Sequence, residues 1–371
     1  MQKLKVSSSF IRWLLILVVV GLGAILFTFH NESFYQRPLA RVEQVRNEKA
    51  VKQTDEFKNV DWQTKQYLKI KMLNGKYRGK KMTVTNTYSY SGAMDQRYRV
   101  GNEIFLTRVH EKDGLLHATI AGYKRDTVIV FLVWLVILLL LLMMKKQGSL
   151  ALLSVVVNSI LFVLAIELDL KMQAAHVLLI FGTLALIFTI VSLILILGLT
   201  KRMLATLGAT VCGTLIAMLI SLLIFQLTQE RGIYYESMQY VTQVPRPLFL
   251  AETLLGSLGA VMDESSDIVA TIFELRQLDP TATKGQLFMA GRSVGKSIMG
   301  PLVNVLFLIF MADTFTSSLL YLKNGNSWGY TFSMNMCLGT VQSLISGIGI
   351  VLAIPIASGL AAILLGKKGK A

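Results

Sequence analysis

Blocks of about twenty apolar residues recur along the chain, the length a helix needs to cross roughly 30 Å of hydrocarbon at about 1.5 Å per residue. The first covers residues 10–29 (FIRWLLILVVVGLGAILFTF), and after a polar interval the blocks resume at 127–144, 150–168, 174–198, 203–227, 248–272, 297–320 and 340–365. Between the first and second blocks the period changes from helical to two. Leu68-Lys69-Ile70-Lys71-Met72 and Met82-Thr83-Val84-Thr85 alternate, Ile104-Phe105-Leu106 is a short apolar run, and Asn74-Gly75 is a hairpin turn signal. Gly79, Gly92, Gly101 and Gly114 punctuate the rest. These patterns predict an integral membrane protein, mostly α, with about eight transmembrane helices. A small β-rich extracytoplasmic domain, a barrel or sandwich of roughly five or six strands, lies between the first and second. The expected division is 1–29 (N-terminus and signal-anchor helix), 30–126 (β-rich domain) and 127–371 (seven-helix membrane domain).

The separators between blocks set the expected topology. Lys145, Lys146, Lys201, Arg202, Arg276, Lys284, Arg292, Lys296, Lys367, Lys368 and Lys370 fall on one side, and only Lys171, Arg231, Arg246 and Lys323 on the other. Positive charge in short loops marks the cytoplasmic side, so both termini are expected there. Lys3 and Lys5 precede the first block, and its small residues Gly21, Gly23 and Ala24 lie inside the apolar run, which argues for an uncleaved anchor.

Composition agrees, with 53% hydrophobic and 16% charged residues. The net charge of +15 could suggest nucleic acid, but residues 30–126 account for +8 (19 Lys/Arg against 11 Asp/Glu), and much of the rest reports topology. No aromatic–arginine pattern accompanies it, so no nucleic acid partner is expected. Cys212 and Cys337 are too few for a disulfide framework or a cysteine metal site. The four histidines (His30, His110, His117, His176) are scattered, without HExxH or GxSxG. Neither an enzyme nor a cofactor is expected.

Candidate chemistry concentrates in the C-terminal blocks. Glu252, Gly256, Gly259, Asp263, Asp267, Ala270 and Glu274 recur at steps of three or four, which puts them on one helix face. A carboxylate facing lipid is costly, so this ridge is expected to look inward at protein or water. Glu264 falls on an adjacent face, and it and Glu274 read as acids near enough to the interface to be solvated. In the next block Arg292, Lys296, Gly300 and Asn304 share a face, with Ser293 and Ser297 beside them. The last block and its approach carry Asn335, Gly339, Gln342, Ser346, Gly349 and Ala353. Pro301 and Pro355 interrupt these two helices. Such seams suit either a polar pathway or close helix packing. The blocks at 127–144 and 174–198 are almost pure Leu, Ile, Val and Phe and are expected to face lipid. Ala290-Gly291-Arg292-Ser293-Val294-Gly295-Lys296-Ser297 fits a relaxed phosphate-loop pattern, but no strand precedes it, so nucleotide binding is not expected.

The stretch Leu255 to Asp263, Glu274-Leu275, Gly291 to Gly300 and Asn304 resembles the YibE/F family of bacterial polytopic membrane proteins. In the polar domain, Asn74-Gly75-Lys76-Tyr77-Arg78-Gly79-Lys80, Val84-Thr85-Asn86 and Val100-Gly101-Asn102 resemble that family's extracytoplasmic portion. The resemblance implies a bacterial cytoplasmic membrane and a second, related membrane protein as neighbour, and says little about activity. In the family pattern an Asp is usual where Ser297 stands, and the stretch holding Glu264 and Asp267 is usually more apolar. The order of parts is also similar to half of a proton-driven exporter, an analogy of architecture only.

Two functional readings follow. One is a permease or the membrane subunit of one, with Asp263 and Asn304 in its pathway. The other is an envelope scaffold whose basic domain engages an anionic polymer or partner protein. A solvated cleft at Asp263 would favour the first, and a dry pair with Arg292 or Lys296 the second.

Overall fold

The computed structural model describes residues 8–56, 58–92, 95–112, 114–238 and 244–365. Lys3, Lys5, Lys367, Lys368 and Lys370, which entered the topology argument, lie outside the described residues. The chain forms two compact units that divide at Lys145 and Lys146.

The first unit begins with helix α1 (Ser8–Thr28). The strands that follow are β1 (Leu39–Asn47), β2 (Val51–Thr54), β3 (Val60–Met72), β4 (Lys81–Ser89), β5 (Glu103–Leu106), β6 (His110–Lys112), β7 (Leu115–His117) and β8 (Ile120–Tyr123). Helix α2 (Asp126–Lys145) closes the unit. The alternation in β3 is realised as predicted: Leu68, Ile70 and Met72 are buried with Val42, Val84 and Ile104, while Lys69 and Lys71 stay exposed. The antiparallel sheet has β3 as its spine, with β1 and β2 end to end along one edge, β4 along the other, and β5 and β8 continuing outward from β1. β6 and β7 pair separately.

The Asn74-Gly75 turn differs from a two-residue hairpin, because residues 73–80 separate β3 from β4. Gly75 supplies the left-handed backbone (φ 71°). The Asn74 side chain turns inward instead: its Oδ1 accepts from the Leu39 N–H at 2.7 Å, and its Nδ2 lies 3.0 Å from the carbonyls of Glu32, Tyr35 and Arg37. Gln66, fully buried, is equally well supplied. Its amide donates to Asn47 Oδ1 (3.0 Å) and the Tyr98 carbonyl (2.9 Å), and its Oε1 accepts from Tyr98 N–H and Asn86 Nδ2.

Where α1 ends and α2 begins, buried Lys124 donates to the Thr28 carbonyl (2.6 Å) and pairs with Glu103 (2.8 Å) and Asp126 (3.8 Å). Asp126 accepts in turn from Asn31 and Tyr35, and burial together with that carboxylate holds the Tyr35 phenol above its ordinary pKa. Further along, Gly21 of α1 lies against the Trp134 indole of α2, whose Nε1 donates to the Leu17 carbonyl at 3.2 Å. A side chain at Gly21 would collide with that ring.

At Lys145 the backbone leaves helical geometry (φ 50°, ψ −121°), which ends α2. The second unit holds α3 (Gln147–Lys171), α4 (Val177–Leu197), α5 (Lys201–Thr228), α6 (Pro245–Leu278), α7 (Lys284–Lys323) and α8 (Trp328–Leu365), the last with a π-helical turn at Phe332–Met336. Six of the described helices, α2, α3, α4, α5, α7 and α8, are long and apolar enough to cross a membrane. The sequence predicts eight. α1 falls short because its described apolar part, Arg12–Thr28, spans only 17 residues, and α6 because acids interrupt its apolar stretch. α4 qualifies another expectation: Val177, Ile180, Phe181, Leu184, Ala185, Thr189, Ser192 and Leu193 are buried, so one face packs into the unit, while Leu178, Leu179, Leu186, Ile187 and Ile196 leave the other face exposed. A helix apolar on every side carries no period to mark which face is inward.

Glycines set the helix spacing. Val261 of α6 fits between Gly213 of α5 and Gly349 of α8, where an added Cβ would stand 3.1 Å and 2.6 Å from its methyls. Gly291 and Gly295 of α7 lie against Ser358 and Ile354 of α8 and against Ile272 and Ile268 of α6. Such close approach is how helices associate where lipid removes the hydrophobic drive.

Candidate functional site: a cleft between α6 and α7

The turn joining α6 to α7 is locally determined. Asp279 accepts from the N–H and hydroxyl of Thr281, bonds that hold its carboxyl below the usual pKa. Thr283 and Gln286 then form a reciprocal capping box that starts α7. The two helices leave this turn antiparallel and splay around a cleft of about 390 Å³. It is lined by Asp263, Ser266 and Asp267 of α6 and by Ser297, Ile298, Pro301 and Leu302 of α7.

Asp263 stands near the middle of a helix of 34 residues, about 51 Å long at about 1.5 Å per residue. Asp267 follows one turn later on the same face. Pro301 has no N–H to give the Ser297 carbonyl one turn earlier, so the α7 wall combines a hydroxyl with a carbonyl deprived of its helical donor. The lining thus sets the oxygens of Asp263, Ser266, Asp267 and Ser297 beside the apolar Ile298, Pro301 and Leu302, and the Ser297 hydroxyl donates to the Val294 carbonyl.

Among the described residues, neither Asp263 nor Asp267 makes an ion pair, and Arg292 and Lys296 are unpaired as well. The Arg292 guanidinium sits over the Phe288 ring at 5.9 Å. The dry aspartate–arginine or aspartate–lysine pair that would mark simple packing is not formed. No three His, Cys, Asp or Glu among the described residues gather closely enough to hold a metal ion.

The remaining sequence candidates are dispersed. Glu252 lies on the same ridge three turns before Asp263, close enough to Asp313 of α7 for their charges to interact. Asn304 is exposed on α7 beyond the cleft. Gln342 of α8 packs against Gly256, where a Cβ would stand 2.9 Å from its Nε2. Asn335 is spent on packing: its amide reaches Ser318 Oγ (2.7 Å) and the Thr314 carbonyl, and Ser317 donates to its Oδ1. Ser266 and Asp313 were not singled out by sequence reasoning. Ser266 lies one turn from Asp263, a spacing that could have drawn it in, whereas Asp313 sits alone in an apolar run.

Two expectations are corrected. The ridge of Glu252, Gly256, Gly259, Asp263, Asp267 and Glu274 is exposed on the outer side of the helical unit rather than turned into it. The inward face of α6 carries a different polar set, Thr253, Ser257, Glu264 and Ser265, all fully buried, so Glu264 is not a solvated interface acid. The phosphate-loop-like segment is helical throughout, and its glycines serve the contacts with α8.

Residues 132–367 match the YibE/F-like protein family, and residues 33–123 match the YibE/F family N-terminal domain. No curated protein and no solved structure matches the chain. With both of its units accounted for by that family's two parts, the chain belongs to the YibE/F family.

Proposed function

We propose that this protein is a permease, or the membrane subunit of one, that carries a cation or a cation-linked solute past Asp263 and Asp267. The observation that carries the reading is the cleft: two unpaired carboxylates at mid-helix, with Ser266 beside them, face Ser297 and a proline-interrupted helix across an open space. Acids at membrane depth are costly unless water, a cation or a partner meets them, and they mark ion and proton paths. An eight-span arrangement supports this. α1 packs along α2 through Gly21 and Trp134 and both meet at the base of the β domain, so a membrane crossed by α2 is also crossed by α1. α6 is packed among α4, α5 and α8 along most of its length. With the basic separators inside, both termini are cytoplasmic, in a bacterial cytoplasmic membrane, and no catalytic role is assigned.

One observation favours the second reading, an envelope scaffold. The exposed ridge could be covered by a helix of a related membrane protein, while Lys65, Lys69, Lys71 and Lys81 on the outward face of β3 and β4 engage an anionic polymer. Flux separates the two. Proteoliposomes should show cation- or proton-linked uptake that falls at least about tenfold in Asp263→Asn, the loss of about 1.4 kcal/mol of pathway stabilisation. Equal flux in wild type, variant and empty vesicles, together with polymer binding that weakens with salt, would move the protein to the scaffold class.

A further inference from the structure

Glu264 is the one acidic or basic residue classed as buried among the described residues of the helical unit, at 0% exposure, and neither of its carboxyl oxygens has a hydrogen-bond partner. It lies three residues beyond Val261, which fills the gap between Gly213 and Gly349. Ala205 and Ala209 of α5 cluster with Ile268 and Ile272 of α6, and Met218 and Phe225 with Phe249 and Leu250, so the two helices run antiparallel. Three residues on from Val261 and three back from Gly213, at about 1.5 Å each, bring Glu264 and Thr210 to one level, with Thr206 a turn away. Thr206 and Thr210 are fully buried. The Thr210 hydroxyl donates to the Thr206 carbonyl at 2.8 Å, while the hydroxyls of Thr206 and Ser265 have no partner.

The charged groups on the surrounding helices do not neutralise Glu264. On α6 itself, Asp263 and Asp267 lie on the exposed face. On α5, Lys201 and Arg202 occupy the first turn, about 12–14 Å below Thr210 along the axis at about 1.5 Å per residue, and the buried Arg202 Nε has no partner. On α7, Arg292 and Lys296 are exposed. α8 and α4 contain no Asp, Glu, Lys, Arg or His at all. An ionised Glu264 would therefore be cut off from solvent and held without a paired cation.

We propose that Glu264 is a proton-binding site sealed in the contact of α5, α6 and α8. In the packed arrangement its carboxyl is neutral, with the hydroxyls of Thr206, Thr210 and Ser265 as its polar company. When that contact opens, the carboxyl O–H bond breaks, the proton passes to water and the carboxylate is left hydrated. The site is separate from the cleft and does not require the cleft to conduct.

Infrared difference spectra of the full chain in lipid, recorded against pH, test this directly. At neutral pH a protonated-carboxyl C=O band should be present that shifts in D₂O and shifts again when glutamate is ¹³C-labelled. It should vanish in Glu264→Gln, persist in the Asp263→Asn/Asp267→Asn double variant, and be lost in a one-proton step as pH rises. A spectrum in which wild type and Glu264→Gln share the same carboxyl bands at every pH would overturn the proposal. So would a band that neither exchanges nor titrates, which would make Glu264 a fixed packing group, or one abolished by sodium at constant pH, which would make it a metal-ion site. The ¹³C label assigns the band to glutamate rather than aspartate without any substitution, and Glu252→Gln and Glu274→Gln on the exposed face of α6 should keep it, so a poorly folded Glu264 variant would not leave the question open.

Discussion

Gln66 in the β domain and Glu264 in the helical unit are both wholly buried, yet they keep opposite company. Gln66 meets hydrogen-bond partners at both its oxygen and its nitrogen, and Asn74 and Lys124 elsewhere in that unit are supplied in the same way. Glu264 meets none, and in the same unit the hydroxyls of Thr206, Thr253, Ser265 and Ser358 are also without partners. A β domain facing water must repay the polar groups it takes from solvent, so most of its buried polar atoms are built into fixed networks, with Asn31 Oδ1 and Asp95 Oδ1 as exceptions. A helical core already satisfies its backbone internally, and it can hold polar side chains in reserve. Fixed networks specify a structure, whereas unassigned oxygens are available to a proton, an ion or water.

The largest effect that sharpens this contrast belongs to Lys124. Lys124→Met removes the cation that Glu103 and Asp126 share, leaving Glu103 to Arg41 and Asp126 to Asn31 and Tyr35, and should cost about 3 kcal/mol, the upper range for hydrogen bonds to charged groups. Hydrogen exchange at β1 and β5 would read it, and protection unchanged from wild type would mean the network is decorative. Next come two matched changes to leucine. Gln66→Leu orphans the Tyr98 and Asn86 partners and should destabilise the β domain by about 1–3 kcal/mol. Glu264→Leu removes a group with no partners and should leave the helical unit as stable or more so, by denaturant titration. Equal losses from both would erase the difference between the two regions.

Gly349→Ala tests packing rather than polarity. Its Cβ would stand 2.6 Å from a Val261 methyl, and overpacking of this kind costs about 1–3 kcal/mol. Pairing it with Val261→Ala should recover most of that loss, and no recovery would place the strain elsewhere.

The smallest effect lies in the loop between α5 and α6, where polar groups find one another again. Glu230 pairs there with Arg246 at 2.5 Å. Burial, with the Glu230 charge adding to it, pushes the Tyr235 phenol up to about 12. The folded chain thus holds this proton more tightly than the unfolded chain does. The stability it contributes is complete below the ordinary value of 10 and is lost as pH rises toward about 12. Phenolate absorbance of wild type against Tyr235→Phe would show one late-titrating tyrosine, and a difference spectrum centred on the ordinary value would contradict it.

The β domain was the most legible part of the chain. The alternation of Leu68, Ile70 and Met72 with Lys69 and Lys71 assigns both face and core, because only one side of such a sheet can be apolar. The acidic ridge was legible as a group, since helical spacing places Glu252, Asp263 and Asp267 together whatever surrounds them. Its direction was not. In a membrane protein both lipid and core are apolar, so periodicity marks faces without saying which is inside, and α6 has two polar faces. For the same reason α4 read as lipid-facing all round, although one of its faces is packed. The cleft itself needed two helices at once: Ser266 is an ordinary serine until Pro301 and Ser297 stand opposite.

The central claim is that water reaches Asp263 and Asp267 at the middle of α6. The most direct measurement places cysteine at 263 or 267 in a chain carrying Cys212→Ala and Cys337→Ala, and reacts intact membranes with a charged, membrane-impermeant thiol reagent. Rapid modification at both positions, with none at a cysteine placed at the exposed apolar position Leu308 of α7, is the expected result. Cysteines at 263 and 267 that react only after the membrane is dissolved would show the ridge dry and covered, and would contradict it.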